Sequence, residues 1–182
     1  PDLSPIIKGA KESKPDAFVA WSYPPDTFGL TEQAIIQNLE VKMYYNAVAV
    51  SYPAFKGKFG SKVEGVFGAG GVDQSSPKIQ EYFKAHKEIT GKAADSWASA
   101  NTYASLEILG QAIEGAGTLD RKTVTQYIKD NTFDTIMGPI SFDNQISKKY
   151  WTVGQYQDGE FRGVKSSQMD GAAPIVAKDG WN

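Results

Sequence analysis

The sequence predicts an α/β protein, with parallel strands flanked by helices and divided between two lobes. Three observations carry this expectation. Pro15 to Val50 reads strand, turn, helix, strand within about thirty-five residues, the size of a βαβ unit, and the right-handed crossover rule makes its two strands parallel. Beyond Gly71 the chain turns predominantly helical. It then closes on a hairpin signal, Gln157-Asp-Gly159, between two apolar runs. An α/β start, a helical middle and a β end fit two lobes better than one continuous sheet.

The 182 residues suffice for a substantial core. A content of 41% apolar and 22% charged residues is that of a folded chain, not a disordered one. Lysine and arginine number 19 against 21 acidic residues, so no charge imbalance points to nucleic acid or a membrane surface. No apolar run reaches the roughly twenty residues that span a bilayer. The sequence also does not open on the basic and apolar regions of a signal peptide. Cysteine is absent, which removes disulfides, thiolate metal sites and a cysteine nucleophile while leaving the compartment open.

Taken in order, Ser4-Pro-Ile-Ile-Lys predicts a helix from Pro1 to Lys14, with Ser4 as N-cap and Pro5 at its first position. Asp16 to Trp21 is a short apolar strand. Ser22 to Gly29 is expected to be irregular, because two prolines remove amide donors and fix φ. Leu30 to Glu40 predicts a helix capped by Thr31, with Ala34, Ile35 and Leu39 on one face. Lys42 to Val50 supplies the second strand. Tyr52-Pro-Ala-Phe55 and the glycine- and lysine-rich run to Gly60 read as loop and surface turn. Val63 to Phe67 is a third strand, ending in Gly68-Ala-Gly-Gly71, a linker or crossing point.

Ser76-Pro77 then opens a helix to Thr90 that Gly91 closes, with Ile79, Tyr82, Phe83, His86 and Ile89 or Thr90 on one face. A helix from Ser96 to Glu114 is expected to bury a stripe of Tyr103, Leu106, Leu109 and Ile113 with interleaved alanines. Asp120 caps a third helix here, Arg121 to Asn131, which buries Val124, Tyr127 and Ile128. Phe133 to Ile136, a Gly138-Pro139 turn and Ile140 to Phe142 suggest a strand leading into a polar loop over Asp143 to Lys149. Tyr150 to Tyr156 and Glu160 to Val164 form the closing hairpin, and the tail to Trp181 has no period.

No catalytic or metal constellation emerges. The single histidine, His86, sits on an apolar helix face, where a packed imidazole is the ordinary occupant. Without it no Ser-His-Asp arrangement can be built, and there is no G-x-S-x-G elbow, H-x-x-H pair or D-x-D-x-D-G loop. Gly65-Val-Phe-Gly-Ala-Gly-Gly71 lacks the Walker lysine, and Asp73 stands where the last glycine of a dinucleotide motif belongs. Asp26 and Glu32 could face a ligand, although helix-terminal electrostatics accounts for both. Binding has more behind it. Ligands of open parallel sheets meet the carboxyl ends of the strands, here Ser22–Tyr23 and Asn46–Val50. Tyr23, held by Pro24-Pro25, has an amphipathic ring suited to a pocket wall, with packing under the diproline as the competing reading. Asn46-Ala47-Val48 is the matching edge, with an ordinary buried strand end as its alternative.

One further observation concerns segment order. Ser4-Pro-Ile-Ile-Lys, Lys14-Pro-Asp-Ala-Phe18, Tyr23-Pro…Gly29, Glu64-Gly-Val66, Tyr103-Ala…Ala112-Ile-Glu-Gly-Ala-Gly117 and Phe133-Asp-Thr…Gly138-Pro-Ile…Phe142-Asp143 follow one another along nearly the whole chain. In that order they resemble the branched-chain amino-acid (Leu/Ile/Val) binding proteins, the type I periplasmic solute-binding proteins of ABC transporters. The resemblance implies two lobes joined by three crossings and closing on a ligand. Residues 1–70 would lie in lobe 2, 71–149 in lobe 1, and 150–182 would return to lobe 2. It also implies that this is the C-terminal half, with the first half missing.

Site residues carry over in few places. A lobe 2 tyrosine that closes over the ligand corresponds to Tyr23, beside Ser22. The acidic residue that meets a ligand ammonium falls at Ala47, next to Asn46, and Trp97, on the lobe 1 side, could reach the cleft, with packing as the favoured reading. A buried ammonium without that carboxylate would cost several kcal/mol, so among small organic solutes a carboxylate lacking an amine becomes the expected ligand, with an amino-acid-like solute as the alternative. The implied role is the substrate-binding component of an ABC uptake system, without cofactor, metal or catalytic residue. The implied place is the periplasm, or the extracellular face on a lipid anchor. Implied partners are the small-molecule ligand, the membrane permease, and a complementary N-terminal fragment or a second copy, with no nucleic acid. A ligand-sensing regulator or receptor domain is the alternative of the same fold. A small α/β enzyme is the alternative of another class, and would need a constellation that the residues do not supply.

Overall fold

Residues 2–181 are described in a computed structural model, and the predicted helix start at Pro1 lies outside them. The chain runs α1 (Ser4–Ser13), β1 (Ala17–Ala20), α2 (Pro24–Ile36), β2 (Met43–Asn46), α3 (Pro53–Phe59), a 3₁₀ turn over Gly60–Val63, and β3 (Val66–Ala69). The cap of α1 shifts one residue from expectation, to Leu3, and the Ser4 amide instead donates to the Asp2 carboxylate at 2.9 Å. β1, β2 and β3 are parallel neighbours, with Phe18 opposite Tyr44 and Tyr44 opposite Val66, so the expected βαβ unit is present.

Two stretches expected to be irregular are helical. Pro24 and Pro25 begin α2, and Pro53 begins α3. A proline in the first helical turn gives up an amide that has no intrahelical acceptor, and its fixed φ suits the helix. The helix expected from Leu30 therefore starts at Pro24. Thr31, expected as its cap, lies inside it and donates its hydroxyl to the Thr27 carbonyl at 2.8 Å. α3 earns its place by burying Phe55 and Phe59, which meet Phe28 of α2 edge-on and stacked, respectively, in the main core.

After Gly71 come α4 (Pro77–Thr90), α5 (Ala98–Ala116) and α6 (Arg121–Asp130). Their ends follow the local signals: Gly91 closes α4 at φ 71°, and the Asp120 carboxylate caps α6 by accepting from the Thr123 amide at 2.9 Å. The buried face of α5 keeps alanines, as expected, but not the large side chains expected with them. Ala100, Ala104, Ile108 and Ala112 are buried, whereas Tyr103, Leu106 and Leu109 are 46%, 62% and 45% exposed. The alanines let the helix approach its neighbours closely, which large side chains on that face would prevent. β4 (Phe133–Thr135) and β5 (Gly138–Ile140) then form a two-stranded antiparallel ladder. The predicted Gly138-Pro139 turn lies within β5; the chain reverses at Ile136–Met137, where the Thr135 hydroxyl accepts from the Met137 amide and donates to the Gly138 carbonyl.

β6 (Tyr150–Gln157) and β7 (Glu160–Ser167) join the first sheet, giving the order β1-β2-β3-β6-β7 with both added strands antiparallel. Asp158 and Gly159, at φ 54° and 74°, make the tight turn between them. The tail then folds back over the sheet. Trp181 is buried with its ring 4.9 Å from Tyr44, and its indole donates to the Leu39 carbonyl at 2.8 Å. Lys178 is only 6% exposed; its amine donates to the Glu64 carbonyl at 2.9 Å and lies 3.9 Å from the Trp181 ring.

Burial pushes the Lys178 amine down to about 8. It therefore loses its proton more readily in the folded chain than in the unfolded one. Folding becomes more favourable as pH rises above about 8, until unfolded tyrosines begin to ionise near about 10. Tyr44, pushed up to about 12 by burial, then reverses the trend, since only the folded chain keeps that proton. The urea midpoint is expected to rise between about pH 7.5 and about pH 9.5, and Lys178→Met should flatten the rise. An unchanged slope in that variant would contradict the assignment.

Candidate ligand-binding site

The carboxyl ends of β1 and β2 are tied together by a buried polar cluster. The chain leaves β1 at Ala20, stays extended through Tyr23 and turns into α2 at Pro24. Ser22 and Thr27 are buried, and their hydroxyls lie 2.7 Å apart. Thr27 donates its own proton to the Val48 carbonyl at 2.7 Å, so Ser22 is the donor, shared with the Asn46 amide oxygen at 3.1 Å. Asn46, fully buried, donates from Nδ2 to the Thr31 hydroxyl at 3.4 Å, which also accepts from Tyr44 at 3.4 Å. Every member of the cluster has a partner, the condition under which buried polar groups hold a structure instead of weakening it.

This cluster decides which side chains face solvent. Ser22 and Asn46 turn inward and spend their polar atoms on each other. Tyr23 is 73% exposed and Trp21 82% exposed, the latter edge-on to Tyr45 at 5.7 Å. Ala47 is half-buried and bonded into both neighbouring segments: its amide donates to Ala20 and its carbonyl accepts from Ala69, each at 3.0 Å. Strand order thus sets Tyr23, Ala47 and the turn after β3 side by side along one sheet edge.

Trp97 reaches the same edge from the other side. Its amide is held by the Asp95 carboxylate at 2.8 Å, and its ring lies on Gly70, where an added Cβ would come within 2.5 Å of the ring. Gly70, at φ 88°, permits both the turn and the contact. The stretch from the end of β2, Asn46 to Val50, includes no carboxylate, and the side chains exposed beyond the end of β1, Trp21 and Tyr23, are aromatic. Sequence reasoning passed over Trp21 and Thr27. An aromatic at a strand end beside Tyr23 was a usable signal for the first; nothing local marks the second, whose partner Val48 is distant in sequence. Asp26 lies in the first turn of α2, and Glu32 pairs with Lys58 at 3.1 Å. His86 is half-buried and bonds the Lys92 carbonyl at 3.0 Å.

Thr27→Val keeps the shape of the side chain but leaves the Val48 carbonyl without its donor. It is expected to lower unfolding free energy by about 1–3 kcal/mol in urea titrations, with Thr27→Ser close to the parent. Equal stability of all three proteins would show that the cluster does not hold the edge.

Residues 1–160 match the model of a family described as periplasmic binding protein. Among solved structures, a leucine binding protein from Thermotoga maritima is 22% identical, with TM-score 0.74 over 93% of this chain and 49% of its own. An ABC transporter solute binding protein from R. palustris, in complex with benzoate, is 12% identical, with TM-score 0.75 over 96% of this chain and 49% of its own. A leucine-, isoleucine-, valine-, threonine- and alanine-binding protein from Brucella ovis, in a closed conformation, is 17% identical, with TM-score 0.75 over 96% and 49%. The chain spans about half the length of these structures. Its α/β architecture is that of the type I periplasmic binding proteins, and the chain belongs to the periplasmic binding protein family.

Proposed function

We propose that this chain forms part of a solute-binding protein for an ABC uptake transporter, and that its solute is a small organic acid without an amine. The observation that carries the ligand class is the neutral edge after β2, where Ala47 stands and no carboxylate is available. An ammonium closed into that edge would be desolvated unpaired, at several kcal/mol. A carboxylate on an aromatic or aliphatic body meets no such penalty. The exposed rings of Trp21 and Tyr23 offer it apolar walls with hydroxyl and indole tips. That similar folds are seen with benzoate and with 3,4-dihydroxy benzoic acid supports this class, while the leucine-binding relatives mark the competing one.

In this reading Tyr23, Ala47 and Trp97 touch the solute, while Ser22 and Asn46 hold the edge from beneath. Residues 1–70 and 150–182 form one lobe and 71–149 contribute to the other. The solute is caught by closure of the lobes, which selects the closed form by the difference in its affinity for the two states. The closed form then presents the solute to a membrane permease. The working place is outside the cytoplasmic membrane, in the periplasm or on a lipid anchor.

Fluorescence titration of the full translated polypeptide that contains this chain tests the proposal, with benzoate and leucine as probes. Benzoate is expected to bind at least about ten-fold more tightly than leucine, a difference of about 1.4 kcal/mol. Tyr23→Ala should weaken benzoate by about ten-fold or more, and Ala47→Glu should turn the preference towards the amine. Leucine binding as tightly as benzoate, or an unchanged affinity in Tyr23→Ala, would overturn it.

A further inference from the structure

The tail past β7 is bound far more closely than a segment without regular structure requires, and at the end of the sheet away from Tyr23 and Ala47. Gln157 donates from its side chain to the Pro174 carbonyl at 2.7 Å, and the Val176 amide donates to the Gln155 side chain at 3.1 Å. The Lys178 amide donates to the Lys42 carbonyl at 2.9 Å, just before β2 begins. Gly65, just before β3, passes so near that an added Cβ would come within 2.8 Å of the Lys178 Cα. The Lys62 amine donates to the Trp181 carbonyl at 2.8 Å, and the Trp181 indole donates to the Leu39 carbonyl at the same distance. These bonds hold the Trp181 ring to one position.

What that ring meets is Tyr44. Side chains two apart on a strand share a face, so Tyr44 and Asn46 of β2 lie on the same side of the sheet. Both donate to one hydroxyl, that of Thr31 in α2, each at 3.4 Å. Bonds of that length are near the outer limit of hydrogen bonding, so a small displacement of either donor breaks them. The Tyr44 ring is gripped from two directions: Phe18 lies flat on it at 5.3 Å, and Trp181 meets it edge-on at 4.9 Å. Phe18 is half-buried, whereas Trp181 is 4% exposed, so the better seated of the two walls comes from the tail.

We propose that Trp181 is a positioning residue for the solute edge. By seating the Tyr44 ring it keeps the Tyr44 hydroxyl on Thr31. Thr31 accepts in turn from the Asn46 amide, whose oxygen takes the Ser22 hydroxyl between the outward-turned Trp21 and Tyr23. The tail thereby sets the affinity of an edge at the other end of β2 without touching the solute. This rests on reading that edge as the place of the solute. Any buried ring fills a core; Trp181 differs because the ring it covers carries a hydroxyl committed to the cluster. A satisfied buried network passes such a shift on, since each member has one partner arrangement to keep.

Amide hydrogen exchange without solute, and calorimetric titration with benzoate, test this on the full translated polypeptide that contains the chain. Tyr44→Phe keeps the ring and removes its hydroxyl; Trp181→Leu keeps an apolar plug and removes the ring over Tyr44. In each single variant, peptides covering 21–27 and 46–50 are expected to exchange about five-fold faster, and those of α5 and α6 at the parent rate. Benzoate should bind about five-fold more weakly in each. The double variant separates positioning from core filling: its melting temperature falls below that of either single variant, while its edge exchange and benzoate affinity match theirs. Parent-like edge exchange in Trp181→Leu, or edge effects that add in the double variant, overturn the proposal. Should Trp181→Leu not fold, Tyr44→Phe decides, and unchanged edge exchange there overturns it equally. A parent protein that does not take benzoate removes the proposed ligand class, and the exchange rates still decide the role of Trp181.

Discussion

The buried contact among Ser22, Thr27 and Asn46 is the constraint on which the rest of the edge depends. It joins the end of β1, the first turns of α2 and the end of β2 in one satisfied cluster, with Thr31 and Tyr44 extending it below. Hydroxyls and amides so deeply buried are costly when left unpaired, at about 1–3 kcal/mol each, so the three segments are held to one mutual arrangement. That arrangement turns Trp21 and Tyr23 outward and leaves Ala47 as the surface that follows β2. The packing beneath serves the same end: Phe18 stacks on Tyr44, and Trp181 from the tail closes over it.

An edge whose β2 end offers no carboxylate has a chemical consequence. Charged ligands can be gripped there only by groups from elsewhere, while flat apolar bodies find rings ready to cover them. In the proposed reading the edge selects by what it withholds. An amine would need a carboxylate that Asn46 to Val50 do not provide, and the buried Asn46 amide has its polar atoms committed to Ser22 and Thr31. Trp97, pressed on Gly70, brings a second element to the edge.

Much of the fold was legible because its signals are local. Ser76-Pro77 and Gly91 bound α4, Asp120 caps α6, and Asp158-Gly159 turns the last hairpin, each through a residue whose backbone preference acts on its immediate neighbours. The same prolines misled where position within the helix mattered more than their presence: Pro24, Pro25 and Pro53 start helices instead of preventing them. On α5 the expected alanines are buried but Tyr103, Leu106 and Leu109 are not, because close packing selected Ala100, Ala104 and Ala112. At the edge, Tyr23 and Ala47 could be placed from strand order alone. The inward turn of Ser22 and Asn46 depends on Thr27 and Val48, contacts made by folding and unmarked by any spacing in the chain.

The central claim is that the edge accepts a carboxylate and refuses an amine. Native mass spectrometry of the purified protein, followed by denaturation and identification of whatever small molecule is released, addresses it without choosing a ligand beforehand. The account predicts release of a carboxylic acid that carries no amino group. Release of an α-amino acid in stoichiometric amount would contradict it.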